Sequence, residues 1–211
     1  MAYDLEEQEK LDQIKAWWDR YGTFCVILAF VALAAVAGWR GWIWYQGHQA
    51  GQAMGYFEAL ESATRQEGEE SEARIKAASA TLRTDFPKSG YTSRAVLMAA
   101  AALQQRGDQE GAKEQLNWLV ASKFDPALQA VAQLRLAGLL SEQQHYDQAL
   151  ALLESAPVGF AALYADRKGD VYFAQGDKQK ARQAWQAAVA ELENDPLSQV
   201  VQLKIDALSG V

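Results

Sequence analysis

Hydrophobic and polar positions divide the chain into one uninterrupted apolar run near the N-terminus and a long amphipathic remainder. Residues 21–39 contain no charged side chain, and only Arg40 is charged between there and Tyr45. A helix over 21–45 would be about 36 Å long at about 1.5 Å per residue, enough to cross a hydrocarbon core of about 30 Å. Because lipid offers the backbone no hydrogen-bond partner, this run predicts a single membrane-spanning helix.

Aromatic residues flank the apolar run at both ends. Tryptophan and tyrosine rings favour the layer between hydrocarbon and headgroups, and an arginine at the edge of the run can extend its guanidinium to the headgroups. This pattern favours contact with membrane lipid over an aromatic ligand cage. The residues predicted to lie at the membrane interface are Trp17, Trp18, Tyr21, Trp39, Arg40, Trp42, Trp44 and Tyr45.

The distribution of basic residues predicts the orientation of the span. Lys10, Lys15 and Arg20 precede it, whereas no lysine or arginine occurs between Arg40 and Arg65. Basic residues are retained on the cytoplasmic side, so residues 1–20 are expected to form a short cytoplasmic tail. Residues 46–211 would then lie outside the bacterial inner membrane, in the periplasm of a Gram-negative cell.

Two alternatives remain open at the N-terminus. Residues 35–37 have the A-x-A pattern of a signal-peptidase site, although the leader is long and acidic and the chain stays apolar after the third residue. Residues 1–20 form either a solvated acidic tail or an amphipathic helix on the membrane surface, with Leu11, Ile14 and Trp18 at helical spacing.

Beyond residue 46, helical patterns are separated by turn signals, and no segment alternates with period two for long enough to predict a strand. The predicted fold is therefore all-α. The breaks lie at Glu67-Gly68, Phe86-Pro87, Gly107-Asp108, Asp125-Pro126, Pro157, Gly176-Asp177 and Asp195-Pro196.

Residues 169–188, on either side of the break at Gly176-Asp177, have the sequence GDVYFAQGDKQKARQAWQAA, which closely resembles a tetratricopeptide repeat. In that pattern Gly169 allows two helices to approach, and Tyr172 packs between them. Ala181 and Ala188 are the small contacts of the second helix, and Trp185 takes the large aromatic position.

Ala149 and Ala112 take the position of Ala181 in two preceding units. The steps of 37 residues (112 to 149) and 32 residues (149 to 181) are close to the usual repeat length of about 34. A degenerate first unit is predicted over 49–87, with Ala77 near its small position. A capping helix is predicted to place its apolar residues at Val200, Leu203, Ile205 and Leu208.

Composition narrows the function. A net charge of −7 makes nucleic acid an unfavourable partner, because phosphate binding requires a basic surface. The single cysteine, Cys25, and two distant histidines match no metal-ligand spacing. No catalytic, cofactor-binding or metal-binding residue is predicted, and the abundant acids fit solvated helix faces.

A helical repeat domain offers an inner face that can hold a segment of another protein. The predicted inner-face positions are Leu134 and Gly138 in one repeat and Asp166 and Asp170 in the next. Acidic and apolar residues do not suit a clamp for a peptide carboxylate. The predicted ligand is therefore a basic, hydrophobic or unfolded segment.

The order of these features resembles the YfgM family of ancillary subunits of the Sec translocon. The strongest motifs are GWRGW at 38–42 and GDKQKARQAW at 176–185. The resemblance implies a periplasmic repeat domain, association with the SecYEG channel and with the membrane-anchored periplasmic chaperone PpiD, and assistance to translocated proteins without enzymatic activity. The alternative is a repeat scaffold for another envelope assembly complex.

Overall fold

The computed structural model describes residues 2–193 and 195–209, and within them the side chains of 10–193 and 195–208. All regular secondary structure in these residues is helical, which confirms the predicted all-α class. The helices are α1 (Ala2–Thr64), α2 (Glu69–Asp85), α3 (Gly90–Gln105), α4 (Gln109–Ala121), α5 (Pro126–Glu142), α6 (Tyr146–Leu152), α7 (Ala161–Gln175), α8 (Lys178–Leu192) and α9 (Leu197–Ser209).

The chain forms two compact units, residues 1–51 and 52–211. In the first unit, the apolar run of α1 exposes large side chains such as Phe24, Phe30 and Leu33. Only 6% of its most apolar window is buried, whereas the core helix of a water-soluble protein would be mostly buried. By length and composition this helix can cross a membrane, and a bilayer would remove its apolar surface from water.

The second unit is a series of helix pairs. Residues 52–64 of α1 with α2 form the first pair, followed by α3/α4, α5/α6 and α7/α8, with α9 after the last pair. Consecutive helices from α2 to α9 pack against each other, and α5 also packs against α7. One buried cluster extends from Leu60 and Ile75 to Tyr164 and Val171, and a second one surrounds Trp185.

Gly-Asp turns start the second helix of two pairs. Gly107 (φ 85°) and Gly176 (φ 90°) adopt a left-handed backbone that glycine accepts without a steric penalty. The next residue caps the helix: Asp108 accepts a hydrogen bond from the Gly111 amide (2.9 Å), and Asp177 does the same at the start of α8. All seven breaks read from the sequence separate helices in the structure.

The third pair has no Gly-Asp turn. Gln144 takes the left-handed conformation (φ 62°), and His145 at the N-cap makes no capping hydrogen bond through its side chain. The second helix of this pair, α6, has only 7 residues, compared with 15 in α8. A weaker start therefore accompanies a shorter helix.

In α2 and α9 the buried face includes a residue next to the one that the sequence predicted. Ala77 is exposed, and its neighbour Ala78 is buried. In α9, Val200 and Leu203 are 51% and 68% exposed, whereas Val201 and Ile205 are buried and Leu208 is half-buried. Adjacent apolar residues satisfy a helical period equally well, so spacing alone cannot choose between them.

Candidate functional site

The residues predicted to pack the repeats lie at equivalent positions in three pairs. The small residues Ala112, Ala149 and Ala181 are completely buried. Four residues later in each unit, within the helix or at its C-cap, comes a large buried side chain. These are Leu116, Leu153 and Trp185.

The last pair is held by an unusually close contact. A Cβ atom on Gly169 would lie 2.3 Å from the ring of Trp185, so only glycine fits beneath the indole. The indole N–H donates to the Asp166 carbonyl and to a carboxylate oxygen of Asp170, both at 3.2 Å. Trp185 therefore joins α8 to α7 through packing and hydrogen bonding together.

The other two predicted packing residues lie beside this contact. Ala188 is completely buried. Tyr172 is half-buried, and the Lys180 ammonium lies 5.5 Å from the centre of its ring. The phenol ring thus lies beneath the first turn of α8.

The predicted inner-face acids already have a partner within the chain. The Lys204 ammonium of α9 lies 2.7 Å from a carboxylate oxygen of Asp166 and 2.7 Å from one of Asp170. Arg167 lies 3.7 Å from the other oxygen of Asp170. Lys204 therefore offsets part of the negative charge at these two positions, and a role for them in a binding groove stays a prediction.

The other two predicted groove residues lie on α5 and are half-buried. A Cβ atom on Gly138 would lie 3.3 Å from the guanidinium of Arg167, which extends from α7 across the glycine. Leu134 packs against the main buried cluster. Arg167 of α7 therefore covers part of the inner face of α5, and Lys204 of α9 covers part of the inner face of α7.

Sequence reasoning missed these cations. Arg135 and Arg167 both lie two residues before the small residue of their helix, Ala137 and Gly169. Each extends toward the first helix of the preceding pair, as Lys204 extends from α9 toward α7. The signal was available, because the two arginines are 32 residues apart (135 to 167), the same step as from Ala149 to Ala181.

An open groove of about 450 Å³ lies between the end of α1, α3 and α5. The Arg135 guanidinium crosses it and donates one hydrogen bond to the Leu97 carbonyl at 3.1 Å. Within the described chain, none of its lining residues is acidic. We call it the arginine groove, lined chiefly by Thr64, Arg94, Leu97, Met98, Ala101 and Arg135.

The predicted membrane-interface residues lie in the first unit and are exposed. Trp17 contacts Tyr21 with ring centres 5.7 Å apart, and Trp42 contacts Tyr45 at 6.4 Å. Both pairs follow from helical spacing of three or four residues. A role in lipid contact for these rings stays a prediction.

Among the described side chains, no group of three or more histidine, cysteine, aspartate or glutamate residues is close enough to hold a metal ion. The surfaces described above offer contacts and charge for binding.

Comparison with known proteins places these features in context. A family model described as a tetratricopeptide repeat-like domain matches residues 15–210. A Neisseria gonorrhoeae protein named ancillary SecYEG translocon subunit is 32% identical over 211 residues, which cover 99% of this chain and 100% of the relative. Relatives with the same name occur in Escherichia coli (37% identical over 123 residues, 58% of this chain and 60% of the relative) and in Haemophilus influenzae (27% over 191 residues, 89% and 91%).

Proposed function

Because the chain belongs to the family of ancillary SecYEG translocon subunits, whose tetratricopeptide repeat-like domain it carries on a membrane anchor, we propose that it is a non-enzymatic accessory protein of the Sec translocon. The repeat unit would hold a chaperone partner, of the PpiD kind, beside proteins that leave the channel. Tethering raises the local concentration of the repeat domain at the membrane and favours contacts that would be weak in solution.

The full-length similarity to the Neisseria protein carries this proposal. The match includes both the exposed apolar helix and the repeat unit. A soluble repeat protein would need only the second of these. A repeat unit attached to a membrane anchor suits a protein that acts by position and contact.

The proposed orientation places the N-terminus in the cytoplasm and the repeat domain, residues 46–211, in the periplasm. The lysines and arginine before residue 21 and their scarcity between Arg40 and Arg65 support it. Residues 21–45 would span the inner membrane, with the aromatic rings at its two surfaces in contact with lipid. Protease added to spheroplasts should degrade the repeat domain and leave a protected fragment of the span and tail.

Crosslinking in native membranes tests the proposed partners. A photoreactive amino acid at Leu134, on the inner face, should capture the periplasmic chaperone. One in the membrane-flanking segment, at Trp44, should capture a SecYEG subunit. The same probe at Lys123, exposed in the loop before α5, serves as the matched control.

The outcomes separate the alternatives. Recovery of cell-wall or outer-membrane assembly proteins in place of translocon subunits would support the scaffold alternative and contradict the proposal. A mature protein that begins after residue 37 and is extracted by carbonate would show signal cleavage and remove the membrane tether. Loss of a measurable enzymatic activity on changing one polar residue, with folding intact, would contradict the non-enzymatic role.

A further inference from the structure

We propose that the arginine groove binds an extended acidic segment of a partner protein. This inference rests on the proposed function only in treating the repeat unit as an interaction module, and it names the chemistry of the segment that the module accepts. The site lies among α1, α3 and α5, away from the Asp166 and Asp170 positions that the sequence indicated.

The geometry of the two arginines supports a built site. Arg94, Met98 and Ala101 follow one another at helical spacing along α3, and Arg135 faces them from α5. The hydrogen bond from Arg135 to the Leu97 carbonyl uses one of the five N–H donors of the guanidinium. The remaining N–H groups can donate to a planar carboxylate, and the side chain, already held by its bond to Leu97, loses little further entropy on binding.

Charge complementarity selects the acidic partner. The chain carries a net charge of −7, so its surface as a whole is acidic. Ion pairs within the described side chains involve Arg65, Arg74, Arg83 and Arg167, but not Arg94 or Arg135. Two cations without a carboxylate beside an apolar lining present a positive patch on an acidic protein.

The shape of the groove favours a peptide over a lipid surface. The groove runs open between helices, and Leu97, Met98 and Ala101 contribute its apolar lining beside the two arginines. An extended chain can direct alternate side chains toward such a lining and toward the arginines, because its side chains alternate with period two. A planar bilayer cannot enter a groove between neighbouring helices.

The internal ion pairs of α7 and α9 explain why the binding site lies at α3 and α5. At the C-terminal end of the repeat unit, Lys204 occupies Asp166 and Asp170, so that part of the inner face already holds a charged partner. The second pair has Met98 where Arg135 and Arg167 lie in the following pairs, two residues before the small residue Ala100. Met98 is uncharged, and the cation that crosses this part of the inner face is Arg135, which extends from α5.

The test uses the full chain in nanodiscs of zwitterionic lipid, without translocon, and fluorescence anisotropy of labelled peptides. The probe alternates glutamate and leucine over about ten residues, long enough to cross three helices spaced about 8–10 Å apart. The matched peptides replace glutamate with glutamine or with lysine. We expect the glutamate peptide to bind about tenfold or more tightly than the glutamine peptide, and binding to weaken as salt is raised.

Variants locate the binding. Arg94→Gln and Arg135→Gln should each weaken the glutamate peptide by about tenfold, whereas the charge-matched control Lys123→Gln should leave it unchanged. Arg94→Gln guards against a folding effect, because no intramolecular hydrogen bond or ion pair of the Arg94 guanidinium is present in the described part of the chain. Circular dichroism of each variant checks the fold.

Three results would overturn the inference. Equal or tighter binding of the glutamine or lysine peptide would remove the charge argument, and the lysine result would favour a basic ligand. Equal affinities for Arg94→Gln, Arg135→Gln and Lys123→Gln would place the peptide elsewhere. Arginine-dependent binding to anionic nanodiscs with no peptide binding would identify a lipid surface. Because the assay contains no translocon, a failure of peptide binding leaves the proposed function intact. A failure of crosslinking to translocon subunits would likewise leave the peptide-binding result intact.

Discussion

The third and fourth helix pairs satisfy one packing pattern with different residues. In α5/α6 the first helix contributes Ala137 and the second Leu153, whereas in α7/α8 the corresponding residues are Gly169 and Trp185. The smaller residue of the first position (glycine in place of alanine) is thus matched by a larger residue at the second (tryptophan in place of leucine). These two positions are therefore constrained as a pair, and neither residue is required by the fold alone.

The two pairs also begin their second helices differently. Gly176 and Asp177 provide a left-handed turn and a capping carboxylate, whereas Gln144 and His145 provide neither a glycine nor a side-chain cap. The fourth pair further ends against α9, whose Lys204 forms ion pairs with two carboxylates of α7. We expect the fourth pair to depend on specific contacts that the third does without.

The largest effect is expected from adding one methyl group. Gly169→Ala would place Cβ 2.3 Å from the Trp185 ring, so the indole must leave its buried position. We expect the free energy of unfolding to fall by about 2 kcal/mol, as for overpacked cores. Urea titration of the full chain in detergent micelles, followed by circular dichroism, measures this change.

The third pair supplies the control for that experiment. In a Trp185→Leu background, which copies the Ala137/Leu153 arrangement, Gly169→Ala should cost nothing and gain about 0.5–1 kcal/mol, because alanine favours a helix more than glycine does. A double-mutant cycle measures this coupling. An equal loss of stability on Gly169→Ala in both backgrounds would show that the sizes of the residues at positions 169 and 185 are not coupled.

A turn transplant should give the next largest effect. Gln144→Gly with His145→Asp copies the Gly176-Asp177 turn into the third pair. Relief of the left-handed glutamine and a new cap at α6 should raise the free energy of unfolding by about 1–2 kcal/mol. Thermal unfolding monitors it, and the reverse change Gly176→Ala should destabilise. A double variant no more stable than the parent would show that α6 is limited by packing alone.

The ion pairs of α9 should contribute less. Lys204→Met keeps the aliphatic stem but leaves Asp166 and Asp170 without their cation. Because these side chains are 19–31% exposed, we expect a loss of about 1 kcal/mol or less, reduced further by salt. Arg167→Met, at 3.7 Å from Asp170, is the weaker comparison. A larger loss for Arg167→Met would contradict the assignment of Lys204 as the main partner of these acids.

The smallest effect is expected from lowering the pH, which should weaken the capped turn at Asp177 and leave the uncapped turn at His145 unchanged. The Lys180 backbone amide, followed by its ammonium, lowers the pKa of Asp177 below 3.8. The cap therefore stabilises the fold fully above the unfolded-state pKa and loses this contribution as pH falls through the lower folded-state pKa. Amide hydrogen exchange at the start of α8 should quicken in that range. Asp177→Asn should remove the dependence, and an unchanged acid response in that variant would assign it to another group.

Much of this architecture follows from local sequence. The uncharged run of 21–39 is long enough to predict a span without any tertiary contact, and Gly107, Gly176 and the capping aspartates mark turns because few residues accept those conformations. The small and large positions of the last repeat, Ala181 and Trp185, also follow from periodicity. The span and the turns depend on interactions within a few residues of each other, and the repeat positions recur at a fixed period, so the pattern along the chain contains them.

Only the tertiary structure decided which charges remain available. From the sequence, Asp166 and Asp170 form an acidic face, but folding brings Lys204 to them from 34 residues or more further along the chain. Folding also places Arg135 beside Leu97 of the preceding pair. It buries Val201 in the core and leaves Val200 exposed. Helical periodicity determines which residues share a face. Which element covers that face depends on packing between helices distant in sequence, and this pairing makes the inner surface acidic or basic.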